Sequence, residues 1–426
     1  MVVLLRFRLA NHRSIREEHE LSLIGTEFNA GTARETGLSS KGRGVTALPV
    51  AGVFGANASG KSNLLSGLRF MRTAVRESVT EWAKYPGVVP REPFKLDSQC
   101  RDDTTLCEVD LVLGVDPVRY TYGFELSDDR VEAEWMHAYP QGRRQVWFDR
   151  DAARGDEGGD EFVFRGTGFQ GRSADLVAFT RSNALFLSVG ATLNDPQLSA
   201  VHRWFSDNLW LVTPGADIAS RTRWTQHLLA DVKEAPKYAE DILRLLSIAD
   251  LGLTGADIDR ETGAVRLRHR AADSDVALDF LREESLGTHA WFAFLGPLLT
   301  ALTAGAVLLV DELDSSLHPT LAAEVVRLFQ DLDANPKGAQ LIFTTHDATL
   351  LGSPVLDRPL DRDQIWITAK QRSGETELYP LIDAKPRPDE NLERGYLRGR
   401  YGGIPRLPTG KIPRERSRQL AAKGAE

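Results

Sequence analysis

At 426 residues, 42% of them hydrophobic and 26% charged, the chain is long enough for two or three domain-sized units and has the balance of an ordinary globular protein. A net charge of −8 excludes a surface uniformly basic enough to coat nucleic acid. Apolar runs such as Ala306–Val310 are far too short to span a bilayer.

The first 25 residues read as a strand, a turn at Asn11-His12-Arg13-Ser14, and a second strand ending at Leu21-Ser22-Leu23-Ile24. Met1–Leu5 gives way at once to Arg6 and Arg8, so no signal peptide is expected. A stretch rich in Gly, Ser and Thr, expected as a loop, runs to about Thr46. Leu48 to Phe54 then reads as a buried strand, and Asn63-Leu64-Leu65 as the start of a helix. Between them lies Gly55-Ala56-Asn57-Ala58-Ser59-Gly60-Lys61-Ser62, which fits the P-loop pattern. Its glycines let backbone N–H groups converge on phosphates, and the following helix adds its positive end. Lys61 is placed to reach the β- and γ-phosphates and Ser62 to offer its hydroxyl to Mg²⁺. Asn57, Ala58, Ser59 and Asn63 complete the expected nucleotide cradle.

Residues 93–148 alternate with period two, as in 108–113, 119–124 and 145–148, and predict an antiparallel meander. The two cysteines, Cys100 and Cys107, make neither a disulfide framework nor a zinc site, so a reducing cytoplasm is expected. Residues 155–161 read as a polar loop tip. From 175 to 250 the apolar residues, Leu209-Trp210 among them, fall at helical spacings broken by Pro196 and Pro214, which predicts a helical insertion. Residues 257–280 read as a hairpin.

The α/β pattern returns from Glu283. Ala306–Val310 is an uninterrupted apolar run ending in Asp311-Glu312, as buried parallel strands do. Acids at a strand's carboxyl end face the ligand crevice of an α/β sheet. Asp311 is placed to hold Mg²⁺ and Glu312 to polarise the attacking water. A helix near 320–332 and a strand over 340–345 complete a β-α-β unit, which puts His346 beside Glu312 at the same edge, able to donate to the γ-phosphate. His318 reads as a packing or capping residue. From residue 385 onward the chain carries a net charge of +6, leaving −14 on the rest. A basic tail on an acidic body suits either an anionic partner, nucleic acid included, or simple solvation.

Walker A, then Walker B, then "LDSSLHP" with Asp314 in the place of a D-loop, then a His after a strand, resembles the ABC-type ATPases of the SMC and RecF kind. The opening "ANHRSIREEHELSL" is similar to the first strands of that group. The resemblance implies an α/β P-loop NTPase with a split head, a β-rich lobe and a helical insertion. It also implies a segment that contacts ATP bound to the opposite subunit. Glu284-Ser285-Leu286-Gly287-Thr288 is the candidate, matching the family's LSGGQ at Ser285 and Gly287 and departing from it at Glu284, Leu286 and Thr288. Ser285 equally suits a helix N-cap. The stretches "PFKLD", "VEAEWMHAY", "NALFLSVGA", "SLGTHAWFAFL" and "LERGYLRGRYGGIP" together resemble bacterial AAA-type ATPases of abortive-infection modules, of the RloA and AbiL type, often found beside an RloB-like protein with a possible nuclease fold.

The expected organisation is an ATPase lobe over 1–95, a β meander over 96–174, a helical insertion over 175–256, a second ATPase lobe over 257–380 and a basic tail over 381–426. The expected function is a Mg²⁺-dependent ATPase that forms a homodimer around ATP, or a higher oligomer, and switches an effector in phage defence, with no membrane partner. A RecF-like DNA-repair ATPase and a non-catalytic nucleotide-gated scaffold are the alternatives.

Overall fold

The computed structural model describes residues 2–404 apart from 30, 41, 167, 172, 214–216, 231–235, 250–251, 260–263, 316, 353–357 and 388–389, together with 414 and 416. Pro214 and, within the tail over 381–426, residues 388–389, 405–413, 415 and 417–426, with Pro388, Pro405, Pro408 and Pro413 among them, lie outside the described residues.

The chain opens as expected with β1 (Val2–Ala10) and β2 (His19–Ser22), paired antiparallel across a turn in which Asn11 and Arg13 take left-handed backbone, φ 49° and 52°. The expected loop to Thr46 instead holds a hairpin of β3 (Arg34–Ser40) and β4 (Arg43–Ala47). Most of its residues face solvent on both sides, so no apolar alternation announces it. β5 (Val50–Gly55) follows, every residue buried, and leads through the P-loop into the helix Lys61–Glu77.

The meander comprises β6 (Thr105–Leu113), β7 (Val118–Leu126), β8 (Val131–Tyr139), β9 (Gln145–Asp151) and the short β10 (Phe162–Val163). β1 pairs with β6, so the opening strands and the meander form one antiparallel sheet, ordered β10-β9-β8-β7-β6-β1-β2. Helices Ser173–Phe179, Phe186–Thr192 and Pro196–Asp207 come next. Leu209-Trp210, read as helical from its spacing, belongs instead to strand β11 (Leu209–Val212). The strand form wins because β11 has a ladder to join, pairing parallel with a partner nearly a hundred residues on. Helices Ile218–Ala230 and Pro236–Ala249 follow. The expected hairpin is a three-stranded sheet of β12 (Leu253–Ile258), β13 (Val265–His269) and β14 (Val276–Asp279).

The last part supplies the long helix Leu286–Ala304, β15 (Val307–Val310), the helix Pro319–Gln330, β16 (Gln340–Thr345), β17 (Ile365–Lys370) and β18 (Thr376–Pro380). The central sheet runs β11-β15-β16-β5-β17-β18, parallel except for β18. Its residues serve two cores in alternation. Val307, Leu309, Ile342 and Val53 join the core shared with the antiparallel sheet and the P-loop helix. Leu308, Val310, Leu341 and Phe343 join the core shared with the helices Leu286–Ala304 and Pro319–Gln330. Burial on both faces is what makes these strands continuous apolar runs. The result is an α/β P-loop fold with a split head: the strand before the P-loop and the strand bearing the acids lie two strands apart in the sheet but more than 250 residues apart in the chain.

Candidate functional site

The P-loop is held from beneath by hydroxyls that come from distant parts of the chain. Ser59 Oγ lies 2.6 Å from Thr368 Oγ1 on β17, and Thr376 Oγ1 on β18 donates to Ser59 O at 2.8 Å. Ser14 Oγ, from the first turn, lies 2.7 Å from that same Thr376 hydroxyl and accepts from Asn63 Nδ2 at 2.6 Å. Ala58 (φ 62°) and Gly60 (φ 105°) supply the left-handed residues that curl the loop. A Cβ on Gly60 would sit 1.9 Å from Thr376 Oγ1, so only glycine passes between the loop and β18. No side chain caps the helix at Gly60, which leaves its first N–H groups for a ligand. Lys61 folds back over the loop, donating through Nζ to Gly55 O at 2.7 Å and Ala56 O at 3.1 Å. Burial lowers its pKa, against the pull of Asp314, Glu312 and Asp311.

The acids stand where β15 ends. Asp311 Oδ1 accepts from Ser62 Oγ at 2.9 Å and from Thr344 Oγ1 at 2.6 Å. Thr344 Oγ1 in turn accepts from Glu312 N at 2.8 Å. Glu312 is exposed and takes left-handed backbone, φ 52°. Such backbone costs a non-glycine residue on the order of 1–3 kcal/mol and is kept where neighbours enforce it. A cavity of about 50 Å³ lies against Asp311, Glu312, Thr213 and Ser315, room for a water or two. His346 stands at this sheet edge, where its Nδ1 is 3.0 Å from Asp314 Oδ2, and more than half its side chain is exposed. Asp314 is also held by Thr345 Oγ1 at 2.6 Å. His318 caps the helix Pro319–Gln330, its ring Nδ1 accepting from Thr320 N.

The hydrogen bonds of Ser285 stay within its own helix start, and none among the described residues reaches the P-loop. Ser285 caps the helix Leu286–Ala304, accepting from Thr288 N at 3.1 Å, and Gly287, the helix's second residue, lies exposed. Leu286 between them is 84% exposed.

Thr344, Ser14, Thr368 and Thr376 escaped the sequence reading. Thr344 left one trace, a hydroxyl in a strand whose preceding residues are wholly apolar but for Gln340. The others left none, because their partners lie hundreds of residues away.

A glycine-cradled lysine at an uncapped helix start, with a serine hydroxyl and an aspartate sharing one oxygen site across the sheet, defines a P-loop nucleotide-binding protein. The chain belongs to the family described as "AAA domain, putative AbiEii toxin, Type IV TA system", whose model matches residues 50–352. No curated protein matches it. Among solved structures, the SMC head domain from Thermotoga maritima is similar over 88% of this chain and 98% of its own, at 14% identity and a TM-score of 0.40. A Smc head domain derived from Pyrococcus furiosus, bound to the C-terminal domain of ScpA, is similar over 90% and 98%, at 12% identity and a TM-score of 0.41. For cbiO1 from Clostridium perfringens, part of an ABC transporter complex, the figures are 84% and 88%, 11% and 0.31.

The family implies a nucleotide and Mg²⁺, and the residues fit both. Hard oxygen donors suit Mg²⁺, which keeps several waters and takes one or two carboxylates. Ser62 Oγ and Asp311 Oδ1 offer such a pair. The described residues hold no cluster of three His, Cys, Asp or Glu able to bind a metal, and no described helix is long and apolar enough to cross a membrane.

Proposed function

We propose that the chain is a Mg²⁺-dependent ATP hydrolase that pairs with a second copy around two ATP molecules and serves as the switch of a bacterial anti-phage defence module. The observation that carries the reading is the Ser62–Asp311–Thr344 chain of hydrogen bonds, which closes the P-loop onto the acid-bearing strand and hands its last bond to the main chain of Glu312.

Lys61 exchanges the carbonyls of Gly55 and Ala56 for phosphate oxygens, with Gly60, Ser62 and the helix start donating N–H groups. Bound Mg²⁺ withdraws charge from the phosphates. Asp311 and Ser62 hold its site. Glu312 accepts the proton of the attacking water. His346, oriented through Nδ1 by Asp314, donates to the γ-phosphate from its other nitrogen. Ser285 and Gly287 act on the nucleotide of the opposite copy, in a two-fold arrangement where one patch serves both sides. ATP thus holds the dimer and hydrolysis releases it. An effector, with an RloB-like nuclease as the candidate, reads the two states. The family's toxin–antitoxin description supports the setting.

The test uses trapped ATP. Glu312→Gln should keep ATP but stall hydrolysis, because the amide cannot take the water's proton, and should dimerise more strongly with ATP than with ADP in light scattering. Adding Ser285→Arg should abolish that gain while binding persists, and Lys61→Ala should abolish binding itself. A Glu312→Gln protein that hydrolyses at the wild-type rate, or stays monomeric with ATP, refutes the reading. A DNA-repair role of the RecF kind is favoured by one feature, the +6 charge from residue 385 onward. It requires duplex DNA to stimulate hydrolysis, and an indifferent rate would remove it.

A further inference from the structure

The segment entering the helix Leu286–Ala304 reverses the usual order of inside and outside. Leu281 is 75% exposed and Leu286 84% exposed, while the side chain of Glu284 between them is only 5% exposed. Carboxylates are almost never buried unless paired. Glu284 is paired. His269 Nε2 donates to Glu284 Oε1 at 2.7 Å. His269 ends β13, the middle strand of the three-stranded sheet, and lies opposite Leu253 of β12 and Val276 of β14.

The segment has a second anchor at its start. Asp279, the last residue of β14, caps the short helix Phe280–Glu283 by accepting from Leu281 N and Arg282 N, and its own N–H donates to Glu283 Oε2 at 2.6 Å. Between these anchors only five residues run from the sheet to Ser285. The sheet itself is seated on the helical core through Leu253, Val265 and Leu267. The sheet therefore holds the residue immediately before Ser285 by a partly buried side-chain bond, and so fixes where Ser285 and Gly287 point.

We propose that His269 and Glu284 are positioning residues for the trans site: the pair locks the Ser285–Gly287 segment to the three-stranded sheet in the geometry that meets the nucleotide of a second copy. The buried carboxylate turns the two leucines outward as its consequence, so that one contact arranges both the polar and the apolar part of the docking edge. This rests on the shared-site reading above. It makes the three-stranded sheet a working part of assembly, since movement of β13 reaches Ser285 through the His269–Glu284 bond as well as along β14 through Asp279.

The experiment is run in the Glu312→Gln background with ATP and Mg²⁺, measuring the dimer dissociation constant by analytical ultracentrifugation and ATP affinity by calorimetry. His269→Ala and Glu284→Leu should each weaken the dimer by about tenfold or more, the low end for a hydrogen bond involving a charged group. ATP affinity of the monomer should be unchanged. Glu284→Gln still accepts from His269 and should restore the dimer to within about threefold of the parent. Circular dichroism and the melting temperature of Glu284→Gln guard against mere misfolding. If the parent dimerises and His269→Ala dimerises equally well, or if Glu284→Gln is as weak as Glu284→Leu, the latch is wrong while the shared site stands. If the parent does not dimerise, both fall.

Discussion

Thr344→Val is the most informative single change outside the residues that touch nucleotide. Thr344 is fully buried, and its hydroxyl sits between the carboxylate of Asp311 and the main-chain N–H of Glu312. Valine has nearly the same shape, so packing is kept while both bonds go. The bond to Asp311 is charge-assisted, worth about 1.5–3 kcal/mol, and the orphaned N–H of Glu312 adds about 1–3 kcal/mol. The same N–H bond helps hold Glu312 at φ 52°, a conformation whose own cost, on the order of 1–3 kcal/mol, matches what one such bond supplies. Without it the residue has reason to relax to right-handed backbone and turn its carboxylate away. Thr344→Val should therefore lose about 2.5–6 kcal/mol in urea unfolding, and its hydrolysis should need at least about tenfold more Mg²⁺, while Thr344→Ser retains both properties. Steady-state ATPase assays across a Mg²⁺ titration, with unfolding curves beside them, read both effects. A valine variant with the wild-type Mg²⁺ midpoint would show that Thr344 does not organise the acids.

Gly60→Ala combines a left-handed φ of 105° with a Cβ 1.9 Å from Thr376 Oγ1. It should cut ATP affinity by at least about tenfold by forcing the loop off β18, at a strain cost of roughly 1–3 kcal/mol, and unchanged calorimetric affinity would defeat the brace. His12 is buried against Ser66 and Phe70, and burial pulls its pKa from 6.5 down to about 4. The unfolded ring takes up its proton near 6.5 and the folded ring only near 4. Stability should then be flat above pH 6.5 and fall by on the order of 3 kcal/mol between pH 6.5 and 4. His12→Phe, which keeps the stacking on Phe70, should flatten that part of the pH dependence of urea unfolding, and an unaltered slope would show that another group carries it.

The strands flanking the nucleotide were legible because burial on both faces forces an unbroken apolar run, and the polar residues that end each run mark the functional edge. β16 begins and ends where the sequence placed it, and β5 and β15 within two residues. β11 was not legible, since four apolar residues among helices satisfy a helical spacing and a buried strand equally well, and only its partner β15 decides. The β3–β4 hairpin was hidden by its exposure. Ser285 was legible as a cap, and the structure shows it capping. The pairing of His346 with Asp314, the hydroxyl brace under Ser59 and the burial of Glu284 by His269 depend on residues brought together by the fold, and no local spacing announces such neighbours.

The order of strands in the central sheet has a consequence for the chain while it is being made. β5 sits between β16 and β17, which begin at residues 340 and 365. At roughly 5–20 residues per second, β5 leaves the ribosome about a quarter of a minute to a minute before either neighbour exists. For that interval a wholly buried strand of the finished protein has both edges open and every side chain in water, the condition that invites pairing with the wrong strand. The same delay governs ligand chemistry, because Ser62 waits for Asp311 and Asp311 for Thr344. Nucleotide with its metal can stabilise the nascent molecule only in the last stage of synthesis, and shielding of β5 until then must come from outside the sheet.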